Sequence, residues 1–249
     1  MKKILLLLTL CLATTALITQ PSEELFAQAN QLYKDGKFKA AQNLYQKIPN
    51  KSAWVNYNLG NCAFQLKSYG YALLHWRRAE KDWGFFNREE LLDNISLLKE
   101  KLNKEQGIVL TTNPIVRALV KTKNVIDSWL RSMPLIILQL FFIFIWLFLF
   151  LYLRFLYKKR KNRTIVTLFS LVAFFGIILA VRYSLDARRY GVITSKQAVL
   201  LSGPGDTFQV LQAIREAQEV IIKKETPNYY KVKIRRQLGW MKRNFVEKI

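Results

Sequence analysis

Two apolar runs separated by a short basic turn constrain this chain more than any other stretch. The first occupies residues 133–157, and between Pro134 and Leu153 its only strongly polar side chain is Gln139. The second occupies residues 164–183 and carries no charge before Arg182. Each is close to the roughly 20 residues, at about 1.5 Å per residue, that a helix needs to cross a bilayer core. Backbone groups in lipid must pair within their own segment, so both runs are expected to be helices. Lys158, Lys159, Arg160, Lys161 and Arg163 place five positive charges in the six residues between them. Short basic loops resist translocation, which keeps the turn at 158–163 in the cytoplasm and both outer ends of the hairpin outside. The competing reading is a pair of core helices in a soluble protein, and the five-charge turn argues against it.

The 249 residues carry a net charge of +22, which by itself invites a nucleic-acid reading. The charge is dispersed, with +5 in the turn, +7 in residues 189–249 and the remainder spread along the chain. No nucleic-acid partner is therefore expected. A basic surface beside a membrane suits the lipid bilayer itself or acidic wall polymers. Only two cysteines occur, Cys11 and Cys62, and Cys11 lies in residues 1–20, which have the layout of a signal peptide. Lys2 and Lys3 precede an apolar stretch, and Thr14 and Ala16 stand at the small positions before a cleavage site. Cleavage after Ala16, cleavage nearer Gln20 and retention as an anchor all deliver the following residues to the outside.

Residues 21–105 are helical in texture and contain a repeat. Aligning Ala29-Asn30 with Gly60-Asn61 also pairs Phe38 with Tyr69, Ala41 with Ala72, Tyr45 with Trp76 and Ile48 with Ala79, all at an offset of 31. This predicts two helix–turn–helix units, over about 22–49 and 52–84. Small residues would let the helices approach, and large ones would fill the space between units. Two units leave an apolar face open. Leu91, Ile95, Leu98 and Leu102 at helical spacing predict a capping helix over 87–104, with Asn87 and Glu90 as its capping pair. The block Asn58-Leu59-Gly60-Asn61, followed by Tyr69, Ala72, Trp76 and Ala79, resembles the tetratricopeptide repeat, and Gly36-Lys37-Phe38 resembles its inter-helix turn. The period of 31 is shorter than that family's usual length of about 34.

On that resemblance a groove lies along the inner helices, lined by Asn30, Tyr33 and Lys34 from the first unit and by Tyr57, Asn61, Phe64 and Gln65 from the second. Relatives that hold a peptide's terminal carboxylate carry a lysine four residues before each asparagine. This chain has Phe26 and Tyr57 there, so a more apolar peptide is implied. The same aromatics equally suit packing between helices.

Residues 106–132 mix Ile115, Leu119, Ile126 and Trp129 with Arg117, Lys121 and Lys123, the pattern of an amphipathic connector at a membrane surface. Beyond the hairpin, β-branched runs at Val192-Ile193, 198–201, 220–222 and 230–234 alternate with turns at 202–206 and 226–228. These predict a small all-β barrel over 189–249. Ser202-Gly203-Pro204, Tyr229-Tyr230-Lys231-Val232 and Gly239-Trp240-Met241 resemble the bacterial SH3-like domain, with Ala217 where that family usually has glycine. Relatives bind peptides or cell-wall fragments, so the resemblance makes Tyr229, Tyr230 and Trp240 candidate binding aromatics. Barrel packing is their other available role.

No catalytic constellation is apparent. His75 is the sole histidine and is expected on the exposed side of its repeat helix; Cys62 reads as a small packing residue. Gly203-Pro204-Gly205 precedes no helix and makes no phosphate loop. Neither a metal nor a cofactor is expected. The fold class is a multidomain membrane protein. Its order (signal, two tetratricopeptide-like repeats with a capping helix, two-helix transmembrane hairpin, SH3-like barrel) resembles the BatE family of bacterial aerotolerance proteins. The resemblance implies a non-enzymatic scaffold in the bacterial inner membrane with both soluble domains periplasmic. Its implied partners are other membrane or periplasmic proteins, among them von Willebrand factor A-type Bat proteins and a MoxR-type ATPase, in aerotolerance or oxidative-stress defence. A second expectation, from the barrel alone, is a membrane protein that binds peptidoglycan.

Overall fold

A computed structural model describes residues 22–83, 89–105, 118, 122, 134–155 and 162–249. The expected signal, nearly all of the connector, Asn87 and the turn residues Lys158, Lys159, Arg160 and Lys161 lie outside the described residues. The chain forms two compact units. One holds the N-terminal helices and the C-terminal sheet, and the other holds the two long apolar helices.

In the first unit, helix α1 spans residues 22–34. It is followed by α2 (Phe38–Lys47), α3 (Ala53–Gln65), α4 (Tyr69–Trp83) and α5 (Glu89–Glu105); of α5, Leu91–Leu98 belong to this unit. The helical hairpins α1–α2 and α3–α4 repeat bond for bond at the offset of 31. Gly36 N–H donates to the Tyr33 carbonyl and Lys67 N–H to the Phe64 carbonyl, both at 3.0 Å. Lys37 N–H donates to the Leu32 carbonyl and Ser68 N–H to the Ala63 carbonyl, both at 2.9 Å. Both turns need a left-handed residue, at φ 74° for Gly36 and φ 56° for Lys67. Glycine meets that need freely, whereas a lysine there costs about 1–2 kcal/mol. Ring pairs repeat too, Tyr33 on Phe38 with centroids 5.2 Å apart and Phe64 on Tyr69 at 5.9 Å.

The two units differ where their packing residues differ in size. A methyl group on Gly60 would lie 2.3 Å from the Trp76 ring. In the first unit the corresponding pair is Ala29 with the smaller Tyr45. The larger ring in the second hairpin has thus displaced the last side-chain carbon from the helix it rests on. Leu91, Ile95 and Leu98 of α5 are buried, and Asn94 donates to the Tyr57 hydroxyl at 3.1 Å, so α5 packs on α3.

The sheet is built from β1 (Arg189–Ile193), β2 (Ala198–Leu201), β3 (Val210–Ile214), β4 (Glu219–Glu225), β5 (Tyr229–Ile234), β6 (Gln237–Lys242) and β7 (Val246–Lys248). Its order is β3-β2-β6-β5-β4-β1-β7, which leaves β3 and β7 as hydrogen-bonded ends; it is an open sheet and not a closed ring. Each strand sends at least one residue into a single core that includes Ile193, Leu200, Ile222, Val232 and Met241. Ile214 of β3 and Val246 of β7 join the same core, and Phe245 of the short 3-10 turn packs against it. The sheet therefore curls to cover its own apolar face. Ala217 sits at φ 60° with its N–H donating to the Ile193 carbonyl at 2.8 Å, a left-handed site at which glycine would be unstrained.

The second unit contains α6 (Leu135–Phe155) and α7 (Asn162–Asp186). Among the described residues these are two helices long and apolar enough to cross a membrane. Only 11% of each span is buried, the reverse of what core helices of a soluble protein show. They pair antiparallel: Gln139 near the start of α6 bonds to the Tyr183 hydroxyl near the end of α7, and the Phe141 and Phe175 rings stack at 6.5 Å. Phe142 packs toward Gly176, where an added methyl would lie 3.6 Å from its ring, an ordinary contact. Arg163 belongs to α7 itself, and α7 continues past Tyr183 to Asp186, which pairs with Arg182 one turn earlier.

Gly60→Ala is expected to destabilise the helical repeat by about 1–3 kcal/mol, the cost of overpacking a filled core. Trp76→Tyr in the same chain should recover part of the loss. Thermal unfolding followed by far-UV circular dichroism measures both.

Candidate functional site

The predicted groove residues divide into those occupied within the fold and those facing outward. Asn30 Oδ1 accepts from the Tyr45 hydroxyl at 2.5 Å and from Asn58 Nδ2 at 3.0 Å. Asn61 Oδ1 accepts from Trp76 Nε1 at 3.0 Å, the same bond one repeat later. Both asparagines thus tie an inner helix to the large ring of its own hairpin. Burial and its neighbours push the Tyr45 hydroxyl up to about 12, so it stays a donor. Phe64 packs on Tyr69 and Trp76, with ring centroids 5.9 and 5.7 Å away. Tyr33 is half-buried and its hydroxyl, raised chiefly by burial, is bonded to Gln65. Lys34 and Gln65 are exposed. Trp54, which composition gave no reason to single out, is 48% exposed and sets its ring edge-to-face on Tyr57 at 6.4 Å. Its signal was the spacing of three from Tyr57, which puts the two rings on one helix face.

His75 is a correction. It is buried at 7% exposure, and its Nδ1 lies 3.2 Å from Asn56 Oδ1. Burial, aided by Arg78 and Lys51, depresses its pKa to about 4, so the ring is neutral at physiological pH. Burial likewise pushes the Cys62 thiol up to about 12. Neither group changes charge near neutrality.

In the sheet, Tyr230 is also a correction. It is 4% exposed and belongs to the core with Val232 and Ile234, so its ring is closed to a partner. Tyr229 and Trp240 face outward and are half-buried. Tyr229 donates its hydroxyl to Asp206 Oδ1 at 2.8 Å, and Lys242 meets the same carboxylate at 2.8 Å. Lys242 and Tyr229 hydrogen-bond to Asp206, and they hold its carboxyl below the usual range.

The strongest electrostatic feature lies where α4 meets the sheet inside the first unit. Gly70 and Arg77, two turns apart on one face of α4, both reach it. Gly70 N–H donates to Glu216 Oε2 at 2.9 Å, and a methyl on Gly70 would lie 2.6 Å from the Ile193 carbonyl oxygen. Arg77 donates through Nη2 and Nε to Glu219 Oε1 at 2.7 and 3.2 Å, and through Nη1 to Glu80. Burial alone would lower the Arg77 pKa, but Glu219 and then Glu80 outweigh it, leaving the guanidinium firmly charged. Arg78 donates to the Lys248 carbonyl at 2.6 Å and lies 3.7 Å from Glu247. The first hairpin carries Lys39, Gln46 and Lys47 at the corresponding positions. Comparison of the repeats at their offset therefore marks Gly70, Arg77 and Arg78 as the second unit's own additions.

No family model matches the sequence, and no curated protein matches it.

Arg77→Met should cost about 3–5 kcal/mol, because it strands Glu219 and Glu80 without their cation. Adding Glu219→Gln should return part of that, and a double-mutant cycle on thermal unfolding in detergent reads the coupling. His75 supplies a pH test. Its folded pKa of about 4 lies below the ordinary 6.5, so only the unfolded chain takes up a proton between those values. Stability should fall as pH drops through that window, by roughly 3 kcal/mol at most. His75→Gln should flatten the dependence there.

Proposed function

We propose that this chain is a non-enzymatic membrane scaffold that presents a tetratricopeptide-like helical repeat and an SH3-like sheet together on the outer side of a bacterial inner membrane. Its task is to bind other membrane or periplasmic proteins in a Bat-type complex serving aerotolerance or envelope-stress defence. The observation that carries this reading is the packing of α4 on the sheet. Residues 69–83 and 189–249 meet through Arg77, Gly70 and Arg78, although both apolar helices lie between them in sequence. Contact between the two modules demands that both stand on one side of any membrane the chain enters. Two crossings satisfy that demand and one does not. The basic turn between the helices supports the outer placement.

Bound together, the two modules act as a single rigid presenter. Trp54, with its ring set on Tyr57, is the repeat surface that fits a partner segment, since exposed tryptophans dominate interface energies.

Affinity purification of the tagged full chain from native membranes, after mild crosslinking, should retrieve a von Willebrand factor A-type membrane protein. Trp54→Ala should weaken that capture about thirtyfold or more, the usual effect of losing an interface hot spot. Recovery of the chain alone, or capture indifferent to Trp54, would contradict the proposal.

A further inference from the structure

The acids of residues 189–249 are all engaged. The segment holds twelve Lys and Arg and five Asp and Glu, a net of +7. Glu216, Glu219 and Glu247 face α4, where Gly70, Arg77 and Arg78 meet them. Asp206 is taken by Lys242 and Glu225 by Lys248. Residues 223–243 hold eight of the twelve cations and a single acid, Glu225. The charge excess is therefore concentrated on one part of the sheet, the strands β4, β5 and β6.

Strand alternation sorts that part into two faces. Tyr230, Val232, Ile234 and Met241 point into the core, which sends Lys231, Lys233, Leu238 and Trp240 outward. The register sets Lys224 opposite Lys231, Lys231 opposite Trp240, and Lys233 between Ile221 and Leu238. Lys224 and Lys231 are like charges directly across neighbouring strands, an arrangement that weakens a sheet. Among the described residues no acid meets Lys224 or Lys233. Lys231 lies over the Trp240 ring, 5.8 Å from its centroid. The two-residue turn at the end of this face is Arg235-Arg236, with Arg235 at φ 51°, where hairpins ordinarily place asparagine or glycine. Leu238, 49% exposed, adds an apolar side chain among the cations.

We propose that this outer face of β4–β6 is a docking surface for an anionic phospholipid bilayer. The inference rests on the membrane-hairpin reading above. α7 ends at Asp186 and β1 begins at Arg189, so in sequence only Ala187 and Arg188 separate a span-length helix from the sheet. Cations grouped with a tryptophan and a leucine match what headgroups and the acyl boundary accept. The charges meet phosphate, and the amphipathic ring sits at the interface.

The test uses the full chain in nanodiscs of phosphatidylcholine with and without phosphatidylglycerol. A polarity-sensitive dye is attached at Leu238→Cys in a Cys11→Ser background. Native Cys62, buried and with its pKa near 12, resists labelling. Dye emission should shift to the blue only when phosphatidylglycerol is present, and high salt should reverse the shift. Lys224→Gln, Lys231→Gln and Lys233→Gln together should weaken the lipid contact on the order of a hundredfold, at about fivefold per lysine. Identical emission in the two discs would overturn the proposal. An equal shift on adding soluble polyglutamate to phosphatidylcholine discs would overturn it as well, in favour of an acidic protein partner. If the chain does not enter the discs at all, the hairpin reading fails and takes this inference with it. Size-exclusion chromatography separates that outcome from the others.

Discussion

A buried cation ties this protein's helical repeat to its sheet. Arg77 contacts Glu219, 142 residues away in the chain, while bonding to Glu80 on its own helix. Burying a guanidinium is costly unless both carboxylates are in place, so the seam between α4 and the sheet is specific in a way that apolar contact alone would not be. Gly70 contributes by absence, since no other residue would let the start of α4 approach the Ile193 backbone so closely. Once α4 rests on the sheet, the segment between them has to leave and return. An apolar hairpin of two antiparallel helices meets that condition.

The seam also determines how charge is distributed over the sheet. Three of its five acids face α4, and the other two each hold a lysine. The cations left over gather on β4–β6, where a lysine stands opposite a lysine. Docking the helical repeat thus engages Glu216, Glu219 and Glu247 and leaves the cations of residues 223–243 in excess. The same partition explains why a net charge of +22 is consistent with a membrane protein. Of that charge, +5 lies in the basic turn and +7 in residues 189–249.

Much of the architecture was legible in the residues. The offset of 31 is a packing period, and packing periods survive in sequence because each ring needs its own small partner, as Trp76 needs Gly60. The apolar hairpin was legible for a similar reason, since lipid tolerates so few compositions. The site was less so. Asn30 and Asn61 were aligned with each other, and so were Tyr45 and Trp76, yet nothing in spacing alone said that each asparagine bonds the ring fifteen residues on. His75 was expected on the exposed side of its helix because it lies between the packing residues Ala72 and Trp76, and spacing alone did not show that Asn56 of α3 would meet its ring. Tyr230 was within reach of the sequence: it alternates with Val232 and Ile234, and period-two reasoning puts all three in the core. The open ends of the sheet at β3 and β7 were not, because local patterning gives strands without their order.

The central claim is that repeat and sheet share one side of the membrane because they bind each other, with the hairpin as their common mount. Reporter fusions test it most directly, using an enzyme active only outside the cytoplasm. Activity is predicted for fusions after Lys104 and after Ile249, and none for fusions between Lys158 and Arg163. Activity at one of the two ends without the other would contradict the account, since the Arg77 seam would then have to form across a bilayer.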